Sequence, residues 1–208
     1  MSFTAQVLAE QAQLRIDDTI ISTVPTTDET SFILNCLNDF QDEIVEKMPL
    51  VKTSTNITAV ADTWTNLPTD FIRIYKYKED GQEHTYITLA AVEYTGSYNI
   101  RTFGSTPQIK FPAAGTYTVM YEYVPTRLIA LTGATGTLAL HDYIGIVAVD
   151  YLAWQRIKTI NATAEGVDYI PSERTLEQTY KNNKANKLRK LLKPNNQPET
   201  IVDAYGGF

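Results

Sequence analysis

The order of patterns along this chain predicts an α+β fold. It comprises a helical bundle built from both chain ends, an antiparallel β lobe of short strands between them, and an extended C-terminal arm. Three observations carry that prediction: an amphipathic 3.6-residue period before residue 50, a two-residue period after it, and a return to helical spacing from about residue 141. Residues 1–50 and 141–193 fall to the bundle, 51–140 to the β lobe and 194–208 to the arm.

The first helix is expected over roughly Thr4–Ser22, with Leu8, Ala12, Ile16 and Ile20 on one stripe and Asp17 and Asp18 near its end. Pro25 and the threonines around it make the connection. The second helix, about Glu29–Met48, is the clearest: Ile33, Leu37, Phe40, Ile44 and Met48 repeat at helical spacing. Asn35, Asn38, Asp39, Asp42, Glu43 and Glu46 fall mostly on the opposite, solvent face. Thr26 and Glu29 have capping-box spacing, and Pro49 stops the helix.

From Val51 the period becomes two. Val51, Thr53, Thr55 and Ile57 alternate with Lys52, Ser54 and Asn56, and Ile72 and Ile74 alternate with Arg73, Tyr75 and Tyr77. The strongest strand sets Tyr117, Val119, Tyr121 and Tyr123 against Thr118, Met120 and Glu122, between Gly115 and Pro125. Turn signals separate the pieces: Glu79-Asp80-Gly81, Thr95-Gly96-Ser97, Gly104-Ser105-Thr106-Pro107 and Pro112-Ala113-Ala114-Gly115.

A third helix is expected over Asp142–Ile160. It is apolar on nearly every face and should be the most buried element, with Trp154 in its core contact to the Phe40/Ile44 stripe. A fourth begins at Ser172 after Pro171, carries Leu176, Tyr180, Leu188, Leu191 and Leu192, and ends before Pro194. The sequence beyond, with its prolines, asparagines and Gly206-Gly207, denies the arm a core of its own.

With 208 residues the chain can bury one sizeable core or two lobes. Its net charge of -6 and pI near 5.0 argue against a general nucleic-acid binder. The single cysteine, Cys36, has no internal partner and reads as a buried thiol beside Leu37. The N-terminus lacks the pattern of a signal peptide and no stretch is long and apolar enough to span a bilayer, which predicts a protein that begins in a cytoplasm, with no membrane partner. Asn56 and Asn161 then match the glycosylation sequon by chance.

Catalytic and metal-binding patterns are not visible. The two histidines, His84 and His141, sit in no ligand-spaced cluster. His141 beside Asp142 fits a helix start with a first-turn acid better than a dyad. Gly133-x-x-Gly136 lacks the lysine and context of a phosphate loop. The expectation is a non-enzyme with no catalytic residue, metal or cofactor.

Charge is distributed unevenly. Residues 1–50 hold nine acids (Glu10, Asp17, Asp18, Asp28, Glu29, Asp39, Asp42, Glu43, Glu46) against Arg15 and Lys47. Residues 174–193 hold seven bases (Arg174, Lys181, Lys184, Lys187, Arg189, Lys190, Lys193) against Glu177. Two readings stand: two solvated faces, or an acid-to-base contact between or within subunits. In the second, Lys184, Lys187, Arg189 and Lys190 would meet Asp39, Asp42, Glu43 and Glu46. Of thirteen tyrosines, eight lie between Tyr75 and Tyr123, which suits half-buried strands and also contact surfaces. In the arm, Ile201, Val202, Tyr205 and Phe208 suit anchors that order only on a partner.

Several phrases together resemble a known family. They are the helix SFILNCLNDFQDEIVEKMP, the approach to a strand Trp64-Thr65-Asn66-Leu67-Pro68-Thr69-Asp70-Phe71-Ile72-Arg73-Ile74, and the strand pieces Gln108-Ile109-Lys110-Phe111-Pro112 and Tyr121-Glu122-Tyr123-Val124-Pro125. With the apolar helix Tyr143–Ile157 and the Lys/Leu-rich helix Thr175–Leu192 in the expected places, the chain is similar to the head–tail adaptor (connector) proteins of tailed bacteriophages over about residues 5–193. Residues 76–104 are longer than the family's usual short hairpin, so strand pairing there stays open. The resemblance implies a structural virion protein: a homo-oligomeric ring in the neck, beneath the portal protein. Such a ring extends the DNA channel, docks a tail protein, and lets viral DNA pass without specific binding. Ile201, Val202, Tyr205 and Phe208 would then contact the portal or a neighbouring adaptor. Other readings are a tail terminator or other tail ring component, and a nucleic-acid-binding packaging factor using the basic helix.

Overall fold

The computed structural model describes residues 3–16, 26–54, 56–79, 81–102, 104, 106–140, 142–163 and 170–192. It is α+β, with helices from both ends of the sequence and antiparallel sheets of short strands between them. The chain divides into two compact units, Met1–Met48 with Pro125–Pro194, and Pro49–Val124.

The helical unit holds α1 (Ala5–Ile16), α2 (Thr27–Lys47), α3 (Asp142–Gly145), α4 (Val147–Thr163) and α5 (Ile170–Leu191). On α1, Ala5, Leu8, Ala9 and Ala12 are buried, and Leu14 is 82% exposed. The end expected near Ser22, with Ile20, lies outside the described residues. The capping box of α2 is formed in both directions: Glu29 N–H donates to Thr26 Oγ1 at 3.2 Å, and Thr26 N–H donates to Glu29 Oε2 at 2.9 Å. Its stripe Ile33, Leu37, Phe40, Ile44 is fully buried.

The continuous helix expected over Asp142–Ile160 is broken at Ile146, which is 38% exposed. Gly145 stands at the break, where a Cβ would come within 3.0 Å of the Phe3 ring. The absent side chain allows that close approach, and glycine holds a helix weakly. Helix α4 then packs on α1, α2 and α5. Pro171 lies inside the first turn of α5 rather than before it, where its missing N–H has no helical partner to lose.

The β unit has a six-stranded sheet around the long strand β11 (Gly115–Tyr123). β11 pairs antiparallel with β1 (Val51–Thr53), β2 (Ile57–Ala59), β4 (Phe71–Ile74) and β7 (Ile87–Leu89), and β8 (Val92–Glu93) pairs with β7. A three-stranded sheet takes the order β3 (Trp64–Asn66), β10 (Gln108–Lys110), β9 (Asn99–Arg101), and β5 (Lys76–Glu79) pairs with β6 (Gln82–Thr85) as a hairpin. The pairing left open over residues 76–104 is thus a hairpin followed by three short strands. The core of this unit gathers Ile57, Leu67, Phe71, Ile74, Ile87, Ile109, Phe111, Tyr117, Val119 and Tyr121. Phe111 and Tyr117 stack with ring centroids 3.7 Å apart and planes within 2°.

Three strand expectations need correction. Ile72 is exposed although Ile74 is buried, because the β4–β11 register shifts between Glu122 and Tyr123: Phe71 faces Tyr123 while Arg73 faces Glu122. One extra residue in the strand reverses the alternation. Ser54 is buried rather than solvent-facing, because its Oγ accepts the Val119 N–H at 2.9 Å. On β11, Met120 and Glu122 are buried along with Val119 and Tyr121, so the strand is covered on both faces there. Glu122 is compensated by Arg73 Nε at 2.8 Å.

Candidate assembly surfaces

Residues 125–140 show no helical period, yet they group with the helices because two polar side chains of α2 hold them. The Asn38 amide accepts the Leu128 N–H at 2.8 Å and donates to the Leu128 carbonyl at 3.1 Å. Gln41 donates to the Thr126 carbonyl at 3.2 Å and accepts the Ala139 N–H at 3.0 Å. Both side chains are buried, against the expectation that Asn38 faces solvent. A return chain that belongs to no sheet must satisfy its backbone somewhere, and amides can both donate and accept.

Between α4 and α5 lies an aromatic cluster. Tyr151 sits 5.6 Å from Phe40 and 5.1 Å from Tyr180, and Trp154 stacks on Tyr180 at 5.6 Å. Trp154 is half-buried rather than a core residue, because one side of it is the α4 surface beside Lys158. Asp150, nearly fully buried in the apolar helix, is ion-paired with Arg15 and accepts from Asn183 Nδ2 at 2.8 Å. A buried carboxylate needs such partners.

The charged residues singled out above divide into three groups. Glu43 and Lys184 come together within the chain, joining α2 to α5, and the Tyr180 hydroxyl donates to Glu43 at 2.5 Å. That pair is therefore already made inside one subunit. Burial would raise the Glu43 carboxyl, but the hydrogen bonds from Lys184 and Tyr180 and the nearby Lys184 and Lys47 charges hold it below the usual range. Tyr180 is pushed well up, first by burial and then by Glu43.

Asp42 pairs with Arg127 at 2.9 Å, a partner the charge pattern did not indicate. The Lys187 ammonium lies 3.6 Å from the centre of the Tyr143 ring. Asp39, Glu46, Arg189 and Lys190 are exposed, and among the described residues none of the four has an ion-pair partner. Ile201, Val202, Tyr205 and Phe208 lie outside the described residues, as does His141.

Cys36 is buried, and burial with the charge of Asp39 pushes its thiol up to about 12, which leaves no thiolate for nucleophilic work near neutrality. His84 stacks on Tyr77 with centroids 5.2 Å apart. Among the described residues no group of His, Cys, Asp and Glu is placed to hold a metal ion, and no helix is long and apolar enough to cross a membrane.

A family model described as SU10 adaptor protein matches residues 3–200 of the chain. No curated protein matches the chain.

Proposed function

Because the chain belongs to the SU10 adaptor protein family, a phage head–tail adaptor family, we propose that it forms a ring beneath the portal, extends the DNA channel and docks the tail. The observation that carries this reading is the reach of the family match, which takes in every helix and strand among the described residues. The absence of a chemical cluster from the sequence pattern agrees with a part that works by contact. The acidic balance of -6 suits a conduit through which DNA slides without being held.

In this reading the segment 194–208 leaves its own subunit and lies on the portal or on a neighbouring adaptor, with Ile201, Val202, Tyr205 and Phe208 as anchors. Apolar side chains spaced along a Pro- and Gly-bearing segment suit ordering on a partner groove. Deleting residues 195–208 leaves the melting of the isolated protein unchanged and weakens portal attachment. Undiminished portal affinity would remove the arm from the account.

The wider role is tested in assembly. Phage made without this protein should accumulate heads that lack tails and fail to retain DNA. Infectious, tailed particles formed at normal yield would overturn the proposal.

A further inference from the structure

The three-stranded sheet of the β unit buries one face and presents the other. Ile109 on β10 is fully buried and Ile100 packs on the same core. The alternate residues Trp64, Asn66, Gln108, Lys110 and Arg101 form the outward row, by the registers Lys110↔Trp64 and Gln108↔Arg101. The Arg101 guanidinium lies 4.4 Å from the centre of the Trp64 ring, and the Lys110 ammonium 5.6 Å from it. Gln108 accepts from Arg101 Nε at 2.7 Å and donates to Asn66 Oδ1 at 2.7 Å, so the row is held by its own polar contacts.

The charge of this row sets it apart. Lys52, Arg73 and Lys76 of the same unit are each paired with a carboxylate, Asp70, Glu122 and Glu83. Among the described residues Arg101 and Lys110 have none. Two uncompensated cations flanking a tryptophan, backed by a rigid sheet, have the make-up of an interface centre.

The chain carries its own complement. Asp39 and Glu46, seven residues apart on α2 and so on one face about 10 Å long, are exposed and also have no ion-pair partner among the described residues. On the ring reading above, we propose that the Trp64–Arg101–Lys110 face of one copy docks on the Asp39/Glu46 face of α2 in the next. Unlike surfaces meeting head to tail are what a closed ring of identical subunits requires. A phosphate backbone is the less fitting occupant: two cations are few for it, and Arg101 already covers the Trp64 ring on which a base would stack.

An equal mixture of 14N- and 15N-labelled protein, assembled on the portal and treated with a zero-length carbodiimide, tests this. Crosslinked peptides of mixed isotope joining Lys110 to Asp39 or Glu46 are expected. Arg101→Glu, which keeps the Lys110 amine, should lower their yield about tenfold. Arg101→Glu with Lys110→Glu should weaken association of copies, and Asp39→Lys with Glu46→Lys in that background should restore it. Mixed crosslinks elsewhere with none from Lys110 would overturn the docking while leaving the ring. An absence of any mixed crosslink would sink both. Lys110 joined to acids of its own isotope only, or a DNA duplex bound in a manner that the double reversal abolishes without mixed crosslinks, would equally overturn it.

Discussion

Tyr180 on α5 donates its hydroxyl to the Glu43 carboxylate on α2 at 2.5 Å, and Lys184, one turn further along α5, closes the same carboxylate from the other side. The two helices are thereby tied at a point where Tyr180 also packs on Phe40 at 6.4 Å. Tyr180→Phe keeps the ring packing and removes the donor, so about 1 kcal/mol of stability should be lost near neutrality, a figure held down by the partial exposure of Glu43. The Glu43 carboxyl sits below its ordinary 4.5. Its contribution is therefore full above that value and lost as pH falls through the lowered one. Urea unfolding followed from neutral pH downward checks this: the difference between wild type and variant should shrink as the pH falls through the lowered Glu43 range. An undiminished difference would assign the effect to packing.

Asn38 makes both hydrogen bonds of the Leu128 peptide groups from a buried site. Asn38→Leu leaves a buried N–H and a buried carbonyl without partners, which should cost about 3 kcal/mol in urea denaturation. Asn38→Asp keeps the acceptor and should fall between wild type and Leu.

The β7–β8 hairpin turns through Ala90 and Ala91, with φ of 51° and 63°. Two consecutive left-handed residues match a type I′ turn, which favours Asn-Gly over Ala-Ala. Ala91→Gly should stabilise the protein by about 1 kcal/mol, read as a raised midpoint of thermal or urea unfolding. A destabilised variant would show that the turn geometry differs.

Trp154→Ala removes the stack on Tyr180 and the edge-to-face contact with Tyr151, but from a half-buried site. The loss should be about 2 kcal/mol, below the range of roughly 3–5 kcal/mol for a core tryptophan. Equilibrium denaturation of the isolated protein measures it.

Periodic elements were legible in the residues themselves. The α2 stripe, its capping box and the tyrosine strand follow from spacing alone, because one face is buried and local chemistry marks the start. The failures have physical causes that are non-local. Asn38 looks solvent-facing on a helical wheel, and only the return of residues 126–139 makes its amide a buried connector. Ile72 matches Ile74 by alternation until a bulge separates them. The Ala90-Ala91 turn carries no glycine, proline or asparagine to announce it. The Trp64 face brings Trp64, Arg101 and Lys110 together from three strands, and spacing along the chain does not encode such a meeting. The charge asymmetry was visible, but not its division between internal pairs such as Glu43–Lys184 and unpaired residues such as Asp39 and Glu46.

We propose that copies of this chain assemble as a ring on the portal. Negative-stain imaging of the purified protein with and without portal rings tests it most directly. The account predicts an added ring, coaxial with the portal and continuous with its channel, when the two are mixed. Portal particles unchanged by a stoichiometric excess of the protein would contradict it.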